Sequence, residues 1–290
     1  MDILKWMDKN TASLTGKTVA ISGATGGIGQ ELCRLLARLG ADLLLLDRSQ
    51  TKSEALETAL CGEFPHIRIW RIPLDLEDME CVRAVARKLE QEPPDVLILN
   101  AGIYQVPRHR CSTGLDNVFQ VNFAAPYYLV RTLLPALQSR GGKVVAVGSI
   151  AHTNSPTDPD DIDFTRCKKS SLVYGNSKRF LMYALYELFD GMPGLAITHP
   201  GITLTNISAH HPPLIFKLIK GPMKIIFMPP RKAALSILRG VFEDCGKYEW
   251  IGPRLFDIWG LPQKRTLTSC PPEEAAWIFE TAERIFSEIT

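Results

Sequence analysis

A tyrosine and a lysine four positions apart, in Tyr174-Gly175-Asn176-Ser177-Lys178, can share one helix face and hold a phenol and an ammonium close to a common ligand. A positive charge beside a phenol favours the phenolate, moving it from about 10 towards neutral pH, where it can exchange a proton in catalysis. Such a pair taken alone is common and mostly structural. A second group of residues could hold phosphate. Gly23, Gly27 and Gly29 follow a short apolar run and open onto an apolar-periodic stretch, Ile28 to Leu39. Glycine lets the backbone approach a pyrophosphate closely, and the first free N–H groups of a helix point its positive end at the charge. On its own, a loop with three glycines is as often only a loop.

The elements that must position these groups alternate along the chain. Val19 to Ile21 reads as a buried strand, and Ala41 to Leu46 as a second that ends at Asp47, eighteen residues after Gly29. A dinucleotide fold places an acid against the adenosine ribose hydroxyls at about that distance, although Arg48 beside it could instead hold a 2′-phosphate. A helix over 53–63, a strand over 67–73 and a helix over 77–91 follow, with Asp75 and Leu76 just past the third strand, where an adenine would lie. The strand over 95–99 runs into Asn100-Ala101-Gly102, a good turn anywhere but one that lines a ligand crevice at the mouth of a parallel sheet. Residues 112–137 read as helix interrupted at Pro126, which cannot donate to the carbonyl of Asn122; a kink or a core amide is the bland account of both. A strand over 143–148 delivers Ser149. The insertion over 154–170 lacks the glycine and distal glutamate of a calcium loop, so its acids read as solvated. A strand over 195–198 ends in His199-Pro200-Gly201, with Thr203 and Thr205 beyond it. His152, His199, His210 and His211 read as loop or packing residues.

The pattern predicts an α/β chain, a single doubly wound parallel sheet in one domain over 1–290, with no linker or repeat. Residues 207–230 are apolar but punctuated by lysines and prolines, so a helical lid over a lipophilic pocket, a peripheral membrane contact and a buried segment all remain open. Helices over 231–242 and 272–289 complete the chain. The helices carrying Asn122 and Tyr174 are apolar on more than one side, which predicts a homodimer or homotetramer.

Composition narrows the function. With 33 basic and 31 acidic residues, a net charge of +2 gives no electrostatic case for nucleic acid, and a small, weakly charged partner is expected. Seven scattered cysteines with no CxxC read as reduced thiols in a cytoplasmic protein, with no metal site. No run is apolar and long enough for a signal peptide core or a transmembrane span. A Cys/His zinc cluster and a GxSxG elbow are both missing, which speaks against zinc alcohol dehydrogenase and serine hydrolase chemistry.

Ser22-Gly-Ala-Thr-Gly-Gly-Ile-Gly29, Asp75, Asn100-Ala-Gly102, Asn122, Ser149, Tyr174-x-x-x-Lys178 and Pro200-Gly201 together resemble, in order and placement over about 15–205, the short-chain dehydrogenase/reductase family. The resemblance implies a Rossmann fold and hydride transfer between a nicotinamide and an alcohol or carbonyl. It makes Tyr174 the general acid/base, Lys178 the holder of the nicotinamide ribose that lowers the tyrosine pKa, Ser149 the hydrogen-bond partner of the substrate oxygen, and Asn122 the holder of a water on the proton path. Gly23, Thr25, Gly26, Gly27, Ile28 and Gly29 would line the pyrophosphate, Asp47 and Arg48 the adenosine ribose, Asp75 and Leu76 the adenine. Asn100, Ala101, Gly102, Pro200, Gly201, Thr203 and Thr205 would line the nicotinamide half. Ser22 replaces the usual threonine and Leu99 the usual first asparagine of that turn. The 25 residues from Ser149 to Tyr174, with Ala-His-Thr after Ile150, resemble the retinol-dehydrogenase-like branch, whose substrates are lipophilic alcohols and ketones. That branch often prefers NADP; Asp47, and Gly26 where a basic residue often stands, predict NAD, with NADP possible. The competing expectations are a dinucleotide-sensing binding protein that keeps the fold without turnover, and a nucleotide-sugar epimerase or dehydratase, whose glycine spacing and longer C-terminal region fit less well.

Overall fold

The computed structural model describes residues 3–203 and 227–290. Its centre is an eight-stranded sheet. The strands are β1 (Thr18–Ser22), β2 (Asp42–Asp47), β3 (Ile69–Pro73), β4 (Val96–Leu99), β5 (Lys143–Val147), β6 (Leu195–Thr198), β7 (Glu249–Leu255) and β8 (Trp259–Thr266). They lie in the order β3-β2-β1-β4-β5-β6-β7-β8, parallel from β3 to β7, with β8 returning antiparallel along the edge. β2 and β4 are buried at every position, as a sheet covered on both faces requires.

Successive side chains take opposite faces. Val19, Ile21, Leu43 and Leu45 pack with α2 (Gly27–Arg38), α3 (Gln50–Glu63) and the later helix over Pro230–Phe242, whereas Ala20, Leu44, Leu46, Leu97 and Leu99 face the other helices. Those are α4 (Met79–Gln91), α6 (Ala125–Ser139) and α7 (Ser170–Leu188). Because β1 lies between β2 and β4, the connections on its two sides run in opposite directions and open a crevice outside the strands' carboxyl ends.

The segment leading into α6 does not break at Pro126. A short α5 (Asn117–Phe119) passes through a π-turn (Gln120–Ala124) into α6, where Pro126 occupies the first turn and its missing N–H is tolerated. The helix therefore begins at Asn117 instead of the expected Ser112.

Three further features depart from expectation. An N-terminal helix, α1 (Ile3–Asn10), buries Trp6 and Met7. The β7–β8 hairpin was not foreseen. The acids of the 154–170 insertion are not uniformly solvated: Asp161 and Asp163 are buried, Asp161 accepting from the Thr165 hydroxyl at 2.8 Å and Asp163 from the Asp116 N–H at 2.9 Å. They fold the insertion onto the body of the protein.

α8 (Pro230–Phe242) packs on α2, and α9 (Pro272–Ile289) forms an outer layer on α6 and α7. Trp277 meets Phe180 with ring centroids 5.8 Å apart, Phe286 meets Tyr128 at 5.3 Å, and the Tyr127 hydroxyl donates to Glu283 at 2.6 Å. Ile278, Ile285 and Ile289 are buried beneath it, each worth roughly 1.5–3 kcal/mol as an upper estimate. The excess apolar surface of α6 and α7, the ground for expecting a homo-oligomer, is thus covered by the same chain and no longer argues for pairing. The expected lid over 207–230 lies, up to 226, outside the described residues.

Candidate active site

The glycine turn hands β1 to α2 in a space that admits no side chain. Gly23 has φ +68°, and a Cβ on it would stand 2.8 Å from Ala101 Cα; one on Gly29 would stand 2.3 Å from the Gly23 carbonyl oxygen. Ser22 ties the turn to β4, its hydroxyl accepting from the N–H groups of Asn100 and Ala101 at 3.2 and 3.1 Å. The Asn100 amide donates to the carbonyls of Ser22 and Gly23 at 3.2 and 2.9 Å. Gly26 caps α2 without any side-chain bond, and Gly26, Gly27, Ile28 and Gly29 line a cleft of about 490 Å³, so the positive end of α2 opens into it. A glycine cradle that a Cβ would fill, opening on an uncapped helix, fits a dinucleotide pyrophosphate.

The cleft continues over β2 to Thr25, Asp47, Arg48, Asp75 and Leu76. Asp47 Oδ1 accepts from the Thr25 N–H at 3.1 Å and its hydroxyl at 2.9 Å, and Oδ2 accepts from Ser53 at 3.5 Å. Burial raises the Asp47 pKa above the usual carboxylate value, with the Thr25 and Ser53 bonds opposing. The Arg48 side chain is exposed and lies 3.7 Å from Glu77. Ser49 and Lys52 line the same end and were not foreseen, since neither belongs to a motif.

At the other end Ser149, Tyr174, Lys178, Pro200, Gly201 and Thr203 line the cleft together with Ala101 and Gly102. Ser149 hydrogen-bonds Tyr174 and also accepts the Ala151 N–H at 3.2 Å. Burial pushes the Tyr174 phenol up to about 12, against the Ser149 bond, and pushes Lys178 down to about 8. Lys178 Nζ donates to the Val147 carbonyl at 2.8 Å and lies 5.9 Å from the centre of the Tyr174 ring. The expected lowering of the tyrosine pKa by Lys178 is therefore absent in this arrangement: the ammonium is engaged elsewhere and desolvation of the phenolate prevails.

Asn122 does not line the cleft. It is fully buried, Oδ1 accepting from the Ile103 N–H at 2.8 Å and Nδ2 donating to Ile103 O at 2.9 Å and Ser177 Oγ at 3.1 Å. Its side chain is committed, so what it can offer a water is the backbone carbonyl that Pro126 leaves without an α-helical donor. A Cβ on Gly102 would stand 3.1 Å from Asn122 Oδ1 and 3.5 Å from Lys178 Nζ, which places the three side by side. Thr205, like His210 and His211, lies outside the described residues. His199 lines the cleft while stacking on Trp250, ring centroids 5.0 Å apart, and burial lowers its pKa to about 4. Among the described residues no cluster suits a metal ion.

The short chain dehydrogenase family model matches residues 17–157. Human retinol dehydrogenase 13 (Homo sapiens) is 30% identical over 282 residues, covering 91% of this chain and 82% of that protein. The chain belongs to the short-chain dehydrogenase/reductase family. Human retinol dehydrogenase 14 is 33% identical over 276 residues, covering 83% of this chain and 82% of that protein. Among solved structures, an uncharacterized protein from Mycobacterium Paratuberculosis superposes with a TM-score of 0.73 at 26% identity, covering 95% of each chain. A short-chain dehydrogenase from Sphingobium yanoikuyae in complex with NADPH shares the fold, with a TM-score of 0.58 at 22% identity over 77% of this chain and 82% of that one. This retinol-dehydrogenase-like member is an NAD(P)-dependent oxidoreductase acting on CH–OH donors.

Proposed function

We propose that this short-chain dehydrogenase interconverts a lipophilic alcohol and its ketone or aldehyde with NAD as the preferred cofactor. The observation that carries the reading is the meeting of Ser149, Tyr174 and Lys178 at one end of the cleft whose other end is the glycine cradle. The nicotinamide, when bound, supplies or takes the hydride. Ser149 donates its hydrogen bond to the reacting oxygen and fixes it beside Tyr174. Tyr174 gives its proton to that oxygen in reduction and takes it back in oxidation. Lys178, released from Val147, holds the cofactor's ribose hydroxyls, and the Asn122 carbonyl holds a water that connects Lys178 to solvent. Gly23 to Gly29 seat the pyrophosphate, Asp75 and Leu76 the adenine, and Asn100 to Gly102 with Pro200, Gly201 and Thr203 the nicotinamide half.

The NAD preference rests on Asp47, a buried acid at the ribose end whose charge repels a 2′-phosphate; Arg48 and Lys52, which line the same end, pull the other way. The ratio of kcat/KM for NAD over NADP should exceed one in the native protein and fall about tenfold in Asp47→Ala. A native preference for NADP, or an unmoved ratio, refutes it. The lipophilic substrate is supported by Ile103, Tyr104, Ile150 and Ile202 in the cleft wall and by relatives named for retinol. A panel of retinol, a steroid alcohol, 2-decanol and 2-propanol, followed by NADH fluorescence, tests it: 2-propanol as the best substrate refutes a lipophilic pocket. Seven free thiols support a reducing compartment. Among the described residues no helix is long and apolar enough to cross a membrane.

A further inference from the structure

Behind the serine, on the side away from the cleft, lies a buried run of polar groups whose proton positions can be deduced one by one. His152 is fully buried in the 3₁₀ turn (Ile150–Asn154) that Ser149 caps. Its Nδ1 lies 2.6 Å from the Ser149 carbonyl oxygen, which also accepts the His152 backbone N–H at 3.1 Å. A carbonyl only accepts, so Nδ1 carries the proton. Burial, with Arg179 adding to it, lowers the His152 pKa to about 4, so the ring is neutral at ordinary pH and Nε2 must accept. Nε2 faces Ser269 Oγ at 2.7 Å, and Ser269 Oγ faces the Tyr183 hydroxyl at 2.9 Å. Ser269 therefore donates to His152 and Tyr183 donates to Ser269.

Arg179, the residue after Lys178, encloses this run. It donates to the carbonyls of His152 at 3.1 Å and Ser269 at 2.7 Å, and pairs with Glu274 of α9 at 2.5 Å. Trp250 stands edge-on to the His152 ring, centroids 5.6 Å apart, and closes the remaining side. The serine turn is thus held from behind by α7 and by the segment entering α9.

We infer that His152 is a positioning residue for Ser149, its Nδ1–H fixed on the Ser149 carbonyl and its Nε2 anchored by Ser269 and Tyr183, so that the serine turn presents its hydroxyl to Tyr174. The inference rests on the role proposed for Ser149 above. A hydrogen bond to the serine's own carbonyl fixes the peptide that follows the serine, and a displacement of about 1 Å in a reacting group can cost on the order of 100-fold in rate.

The test is a double-mutant cycle in the full chain, using the fastest alcohol of the panel. His152→Phe should lower kcat about 30-fold in the native background and less than about twofold in Ser149→Ala, with NAD affinity by fluorescence titration unchanged in both. His152→Asn, whose Nδ2–H can replace Nδ1–H, should recover most of the loss. Losses that multiply across the two backgrounds overturn the inference while leaving the proposed function intact. If Ser149→Ala is as fast as the native enzyme, the serine's role itself fails. Ring-nitrogen NMR of histidine-labelled protein needs no substrate and serves also if His152→Phe does not fold: the native protein should show His152 neutral with the proton on Nδ1 at pH 6, and Ser269→Ala should keep that tautomer but shift the Nε2 resonance as its hydrogen bond is lost, with kcat reduced. A single Nε2–H form in the native protein, or a Ser269→Ala spectrum and kcat identical to native, also overturns it.

Discussion

Tyr174 is protonated and Lys178 only moderately basic in the arrangement seen, and both shifts come from burial. Oxidation needs the phenolate, which a raised pKa withholds, whereas reduction needs the phenol, which it supplies. Alcohol oxidation should accordingly rise with pH across 6–9, by up to about tenfold per unit, while carbonyl reduction stays flat or falls. Rate profiles for both directions check this, and an oxidation rate independent of pH would contradict it. Tyr174→Phe should lower kcat by about 10²–10⁴-fold or more with NAD affinity nearly unchanged, whereas Lys178→Ala should weaken cofactor binding as well as kcat. That Ser149, Tyr174 and Lys178 would meet at one cleft was legible in the sequence, because the serine closes a strand and the other two share a helix face. His152 was not, since a histidine three residues past a serine carries no signal until the turn between them is known. It could have been found only by asking what satisfies the carbonyl of a serine that must stay still.

The strands β1 to β6 and their helices were readable because buried parallel strands are short apolar runs bounded by turn residues. The β7–β8 hairpin was hidden by its composition. Pro253 and Pro262 face one another across it, and Gly252 and Gly260 interrupt its two runs, all residues that count against a strand when only propensity is considered. Pro262 is tolerated because β8 is the edge, and Pro253 because β7 meets β6 only through Thr198 and Ile251. α9 was foreseen as a helix, but helical periodicity does not reveal which surface receives it. Its anchor is the Arg179–Glu274 pair, with the Arg179 side chain only 4% exposed. Glu274→Ala should reduce stability by about 2–3 kcal/mol by leaving that guanidinium unpaired, read as a lower urea midpoint. Arg179 also lowers the Glu274 pKa, against the cost of burial, so the stabilisation is full above the ordinary glutamate range and is lost as pH falls through the depressed folded value.

For the molecule as a whole, the covering of α6 and α7 by α9 predicts a monomer at micromolar concentration in sedimentation, and self-association when residues 272–290 are removed. A dimer of the full chain that dissociates on mutation of an exposed α6 residue such as Pro135 or Gln138 would contradict it. The same layer sets a timetable for synthesis. Arg179 waits 95 residues for Glu274, and Tyr127 waits 156 for Glu283. At about 5–20 residues per second the first interval alone lasts roughly 5–20 s, during which the parallel sheet can form while the aromatic face of Tyr127, Tyr128 and Phe180 stands bare. The growing chain is thus most prone to aggregate, and most in need of a chaperone, late in translation.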